Sequence, residues 1–233
     1  MADRGLFVTL EGGEGAGKST QALRLRAQLE ALGRRVVQAR EPGGTKFGEE
    51  LRELLLSSTK IATRTEMLLF MAARSEVVDK VIKPSLTKGI DVICDRFIDS
   101  TMAYQGYGRG VSRTLIKTVN EAVIQGCLPD LTVLLDIDPS QGLSRASEGA
   151  GGDAIEGHWQ TSLGLGEGEQ QKGTRVGGRD LSFHVKVREG YLLLSKAEPE
   201  RWLVLDGRQS ADDLAGAIWQ RVQALLASRG TRA

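Results

Sequence analysis

The sequence predicts an α/β chain in which a parallel sheet of about five strands lies between two layers of helices. Three observations carry that prediction. Five short apolar runs have strand character, and longer stretches with helical periodicity separate them. The first run leads directly into a Gly-rich loop that opens a helix. Strands alternating with helices need crossover connections, and these make the sheet parallel and cover both of its faces.

Residues 6–10 form the first predicted strand, and EGGEGAGKST at 11–20 follows it. Gly12, Gly17, Lys18 and Ser19 fill the pattern G-x-x-x-x-G-K-[ST]. The next stretch, TQALRLRAQLEALG, has Leu23, Ala27 and Ala31 at helical spacing and Gly33 as its stop. The motif thus has the strand–loop–helix setting it requires. Glycines let successive backbone N–H groups converge on phosphate oxygens, and the following helix points its positive end at them. The loop Gly12, Gly13, Glu14, Gly15, Ala16, Gly17, Lys18, Ser19 and Thr20 is therefore the predicted site of a nucleoside triphosphate. Lys18, expected on the loop's surface, neutralises the β- and γ-phosphates, and Ser19 ligates magnesium.

The second strand, 35–39, runs into REPGGT at 40–45, a stiff turn that brings backbone groups close to a ligand. There Arg40 and Glu41 are either ligand contacts or merely solvated. A helix is predicted over 62–83, where Phe70 and Arg74 are four apart and share a face extended by Met67, Val77 and Val81. An arginine amid apolar residues needs a partner. Spacing favours a carboxylate of the same helix, Glu66 or Asp79. The alternative is a ligand ring stacked on Phe70, with Arg74 donating to its carbonyl. The third strand, 90–94, ends at Asp95-Arg96, where ligands of open α/β sheets gather. Asp95 suits magnesium or its waters, and Arg96 suits a forked grip on phosphate. A structural ion pair is the plainer reading of these two neighbours. Further helices are predicted over 112–125, 181–196 and 211–227, with strands at 131–137 and 202–205. Residues 149–178 depart from this pattern, with ten glycines in thirty positions, and read as a mobile surface excursion.

The 233 residues suit one domain, and a net charge of +1 makes no case for nucleic acid as a partner. Two cysteines, Cys94 and Cys127, provide neither a disulfide framework nor a zinc quartet. A leader pattern is missing at the N-terminus, and no apolar stretch approaches the ~20 residues of a membrane span. The expectation is a cytoplasmic protein with no membrane partner.

EGGEGAGKST, REPGGT, LLFMAARSE and DRFIDSTMAYQG, in this order, resemble the thymidylate kinases. The likeness runs from Leu6 to about Leu226 apart from the Gly-rich stretch, and the last motif together with REPGGT is highly specific. It implies a P-loop NTPase three-layer α/β/α sandwich with a lid: a single nucleoside monophosphate kinase domain over 1–233, its lid and Gly-rich insertion at about 141–180. The implied reaction transfers the γ-phosphoryl group of ATP to thymidine 5′-monophosphate (dTMP), with magnesium, in dTTP synthesis.

Residue roles follow from the same resemblance. Glu14 matches a loop carboxylate at the acceptor's sugar end, Asp95 the magnesium-linked acid and Arg96 the clamp on the monophosphate. Arg40 matches a second phosphate contact. Phe70 matches the residue stacked on thymine and Arg74 the one reading a thymine carbonyl, which reverses the preference from spacing. Thr101 and Gln105 match polar contacts to the base, and Tyr104 the ring crowding the sugar 2′ position. Since positions 13–16 hold no arginine, the chain resembles the bacterial type with its catalytic arginine in the lid. Arg145 matches a residue near adenine. Counting back from LSFHVKVREGYL places the lid arginine at Arg175, although Gly177 stands where the family has glutamate, and Arg179 competes for the role. The family is homodimeric, and the 67–82 helix carries more apolar surface than one core-facing stripe needs, so a homodimer is expected. The rival readings are another monophosphate kinase, acting on UMP or AMP, and a P-loop ATPase switch. The N-K-x-D motif that a GTPase switch ordinarily carries for guanine is excluded, because the sole asparagine, Asn120, is followed by Glu-Ala-Val.

Overall fold

The structure, a computed structural model, describes residues 4–57, 61–148 and 178–230. The Gly-rich stretch and Arg175 lie outside the described residues. All five strands are present: β1 (Phe7–Gly12), β2 (Val36–Arg40), β3 (Asp91–Asp95), β4 (Leu131–Asp136) and β5 (Trp202–Asp206). They form one parallel sheet in the order β2-β3-β1-β4-β5. β1 is central, and the loop that follows it opens at the carboxyl edge, where the chain's direction of progress across the sheet reverses.

The two-residue alternation of β1 explains why the sheet is covered twice. Leu6, Val8 and Leu10 point to one side, against Ala22, Leu25 and Leu29 of α1 (Lys18–Ala31) and Leu214, Ile218 and Val222 of a C-terminal helix, Ala211–Gly230. Phe7 points to the other side, with Val77, Val78, Ile82, Val92 and Ile124. The result is an α/β/α sandwich, as the sequence predicts.

Between the strands run α2 (Lys46–Leu56), α3 (Thr63–Val77), α4 (Lys83–Thr87), α5 (Ile98–Thr101), α6 (Arg113–Ile124), α7 (Pro139–Glu148) and α8 (Gly178–Ala197), and the C-terminal helix is α9. The predicted helix over 62–83 is interrupted by a π-helical turn, Val78–Ile82. Pro84, at the start of α4, lacks the N–H that an unbroken α-helix would aim at residue 80. A second π-helical segment, Met102–Gly108, extends α5 and carries Tyr104 and Gln105. α2 was not predicted. It starts at Thr45, whose side chain accepts from Gly48 N, and it buries Gly48, Leu51 and Arg52. Cys94 and Cys127 are buried free thiols. Among the described residues no helix is long and apolar enough to cross a membrane.

Candidate active site

The phosphate loop takes its shape from three glycines in backbone conformations that side chains disfavour. Gly12 has φ +140°, Gly15 +63° and Gly17 +93°, the last at the N-cap of α1. Two of them are also pressed against backbone. A Cβ on Gly12 would lie 2.6 Å from the Leu135 carbonyl oxygen, and one on Gly15 would lie 2.1 Å from that of Gly142 in α7. Lys18 does not sit on the surface as expected. It is 3% exposed, and its Nζ donates to the Gly13 carbonyl at 2.8 Å, because the loop wraps over its own lysine. Ser19 Oγ donates to Asp95 Oδ2 at 2.8 Å, so the two predicted magnesium ligands meet across the ends of β1 and β3. No cluster of three or more His, Cys, Asp or Glu suited to a metal exists among the described residues. A single carboxylate beside a hydroxyl is the sparse oxygen set that suits magnesium, whose other positions go to phosphates and water.

Beside the loop lies a cleft lined by six of the predicted acceptor-site residues: Phe70, Arg74, Arg96, Thr101, Tyr104 and Gln105, together with Glu41, Pro42 and Ser100. Arg40 is not in this lining. Its side chain is 46% exposed and pairs with Glu49 at 3.0 Å.

The partner of Arg74 is neither Glu66 nor Asp79. Glu41, carried past the end of β2, takes Nε at 2.8 Å and Nη2 at 2.5 Å on one oxygen. The rest of the guanidinium reaches the Phe97 carbonyl, Thr101 Oγ1 and Asn120 Oδ1 at 3.0, 3.0 and 2.7 Å. Both members of the ion pair are buried, at 1% and 3% exposure. Burial raises the Glu41 pKa, and Arg74 counters it. Glu41 is therefore not solvated. Glu66 holds Gln105 Nε2 at 2.8 Å and Arg109 at 3.0 Å, while Asp79 accepts from Gln125. Helical spacing gave the wrong partner because the strand end brings a closer carboxylate from another layer.

Arg96 stands where the loop and the cleft meet. Its backbone is left-handed, φ 67°, one residue beyond Asp95. Nη1 donates to the Gly12 carbonyl at 3.2 Å, and Nη2 lies 3.6 Å from Glu14 Oε1, buried without a hydrogen-bond partner. That leaves Nη2 available to an anion. Glu14 is 2% exposed. Tyr104 donates its hydroxyl to Oε1 at 2.9 Å, and His184 Nδ1 stands 3.2 Å from Oε2. Burial alone would raise the Glu14 pKa, but His184, Arg96 and Lys18 outweigh it and bring the carboxyl down to about 2. Glu14 is ionised at neutral pH.

Below Arg96 lies a second buried carboxylate. Glu11 accepts from Phe97 N at 2.8 Å, Ser100 Oγ at 2.5 Å and Tyr191 OH at 2.8 Å. Burial, reinforced by nearby Asp99, pushes it up to about 7 against the pull of Ser100, Arg96 and Tyr191. Glu11, Ser100, His184 and Tyr191 are absent from the sequence-based site. One signal was present: His184, Arg188 and Tyr191 are spaced four and three apart on α8, which puts them on one face. That face meets Glu14, Asp136 and Glu11 in turn, with Arg188 bidentate to Asp136 at 2.6 and 2.8 Å.

Arg145 lies on α7 and donates to the Gly207 carbonyl at 2.9 Å, in an open cleft with Ser140, Gln141, Ser144 and Arg208. Of the two lid candidates, Arg175 lies outside the described residues and the side chain of Arg179 is likewise not described.

Comparison with known proteins agrees with this geometry. The family described as Thymidylate kinase matches residues 10–158. A thymidylate kinase of Solidesulfovibrio magneticus is 45% identical, covering 95% of this chain and 100% of its own. One from Deinococcus radiodurans is 44% identical, with coverages of 94% and 97%. The crystal structure of thymidylate kinase from Ehrlichia chaffeensis superimposes with a TM-score of 0.71 at 32% identity, covering 94% of this chain and 99% of that one. With motifs, sheet order and full-length relatives in agreement, the chain belongs to the thymidylate kinase family.

Proposed function

We infer that the protein phosphorylates thymidine 5′-monophosphate at the expense of ATP, giving ADP and the diphosphate. The observation that carries this reading is the meeting of two sites at one edge of the sheet. A phosphate loop built for a nucleoside triphosphate adjoins a cleft lined by Phe70, Thr101, Tyr104 and Gln105, and Arg96 and Glu14 stand between them. Phosphoryl transfer needs positioning and charge neutralisation more than covalent catalysis. Lys18 and the loop amides hold the donor phosphates, while Ser19 and Asp95 would hold magnesium, which would supply charge neutralisation at the phosphates. Arg96 Nη2 grips the acceptor phosphate, and Arg40, at the end of β2 next to the cleft residues Glu41 and Pro42, assists from the REPGGT turn. Phe70 stacks on thymine, Thr101 and Gln105 contact its polar edge, and Tyr104 crowds the 2′ position. Glu14 takes the sugar hydroxyl. Arg74, whose guanidinium is held by Glu41, Phe97, Thr101 and Asn120, braces this wall behind Phe70 and Thr101. Arg145 belongs to the adenine side, and Arg175, ahead of Arg179, supplies the lid's positive charge.

ATP as donor implies a cytoplasmic setting, and the family resemblance supports a homodimer. The test is ADP release measured with dTMP, dUMP, UMP, AMP and GMP as acceptors. Turnover is expected to depend on the monophosphate and to be highest with dTMP. Preference for UMP or AMP would replace the thymidylate assignment, and ATP hydrolysis indifferent to every monophosphate would indicate a switch instead.

A further inference from the structure

The structure assigns to His184 the task of positioning Glu14 for the acceptor's sugar hydroxyl, an inference that rests on the reading of Glu14 just given. His184 comes from α8, about 170 residues along the chain from the phosphate loop, yet its Nδ1 stands 3.2 Å from Glu14 Oε2. It is 4% exposed, and it lines the space between the loop, the end of β4 and α8. Glu14 is ionised, so the ring atom facing it must carry a hydrogen, since a bare lone pair there would be repelled.

A carboxylate turns about its last bond, and two contacts fix its plane. Tyr104 OH holds Oε1 at 2.9 Å from the segment after α5, and His184 flanks Oε2 from the opposite element. Oε2 has no aligned hydrogen bond within the protein, so it keeps lone-pair capacity for a donor on the substrate. A 3′-hydroxyl is such a donor. Removing His184 would free Glu14 to rotate toward Arg96, whose Nη2 is only 3.6 Å from Oε1, and the hydroxyl would lose its acceptor. A core histidine that merely fills space would have no such selective effect. His184 is then a positioning residue, not a catalytic one.

The experiment compares dTMP with its 3′-deoxy analogue as acceptors for the full-length protein and for His184→Leu, His184→Asn and Glu14→Ala. Asparagine places an N–H close to the Nδ1 position, whereas leucine keeps only the bulk. The expected result is that His184→Leu lowers kcat/KM for dTMP by about tenfold, the worth of one hydrogen bond to a charged group. The 3′-deoxy analogue should lose less than about twofold, and the KM for ATP should not move. Asparagine should restore most of the preference for the 3′-hydroxyl, and this arm stands even if the leucine variant fails to fold. Equal losses on both acceptors would overturn the assignment, as would failure of asparagine to rescue. If Glu14→Ala erases the 3′-hydroxyl preference while His184→Leu keeps it, the His184 role is wrong and the Glu14 reading stands. A preference that survives Glu14→Ala, or is missing from the unaltered protein, overturns the sugar reading and the proposal with it.

Discussion

Two buried carboxylates near the same arginine answer burial in opposite ways, and this is decided by the charges each one faces. Glu14 has His184, Arg96 and Lys18 around it and falls to about 2, whereas burial, reinforced by Asp99, lifts Glu11 to about 7. A carboxyl raised in the folded state adds stability that is fully present below its ordinary value of 4.5 and is lost as pH rises through about 7. Replacing Glu11 with Gln removes that dependence. Between about pH 5 and about pH 8, Glu11→Gln should therefore gain on the unaltered protein by up to the order of 3 kcal/mol in urea unfolding. A gap that stays constant across those pH values would mean Glu11 titrates normally. Arg74 invites a different experiment. Losing it alone strands Glu41 in the interior, a defect typically costing about 3–5 kcal/mol. The double change Arg74→Met with Glu41→Leu should recover most of the stability lost by Arg74→Met. Additive losses would show that the pair is not the energetic unit.

At the scale of elements, the phosphate loop and α7 touch through glycines on both sides. A Cβ on Gly142 would lie 2.4 Å from the Glu14 carbonyl oxygen, as one on Gly15 would lie 2.1 Å from that of Gly142. In an open helix Gly→Ala stabilises by up to about 1 kcal/mol. Here the added methyl meets backbone that has nowhere to go, so Gly142→Ala should cost about 1–3 kcal/mol by thermal or urea unfolding and lower kcat as the loop shifts. A more stable Gly142→Ala would show that the two elements separate easily. This contact also marks what could be read from the chain in advance. The five strands were legible because each is a short apolar run, and the loop was legible because its chemistry fixes residue types at set spacings. α7 was not legible because PSQGLSRASE has Leu143 as its one large apolar residue, and α2 because it is short and starts directly at the end of the REPGGT turn. The contacts of α8 with Glu11 and Glu14 were hidden because they join residues some 170 positions apart, a distance no local pattern spans.

For the whole molecule, the remaining exposed apolar side chains bear on assembly. Phe47 of α2, Leu54 of α2, Leu68 of α3 and Leu115 of α6 are 49%, 46%, 49% and 39% exposed. The three helices also pack on one another, α2 on α3 and α3 on α6. Light scattering at micromolar concentration should give about twice the chain mass, and Leu68→Glu should lower it toward one chain without unfolding the sheet. A monomer for the unaltered protein would count against the dimer. The sequence suggested this face only through the apolar excess of 67–82. The structure narrows that excess, because Met67, Phe70, Met71, Val77 and Ile82 are all buried within the chain and only Leu68 among the large ones is left outward.

The left-handed residue at the end of β3 has a consequence for selection. A side chain held at φ 67° costs of the order of 1–2 kcal/mol, which glycine would not. The turn lets neighbours serve opposite partners, Asp95 reaching back to Ser19 while Arg96 swings toward Gly12 and Glu14. A library sorted only for resistance to heat would reward glycine at position 96 and discard the guanidinium. One sorted for growth on newly made thymidylate would hold arginine there and accept a softer fold. The two screens should part company at this one codon, which makes it a place where ancestry records use rather than durability.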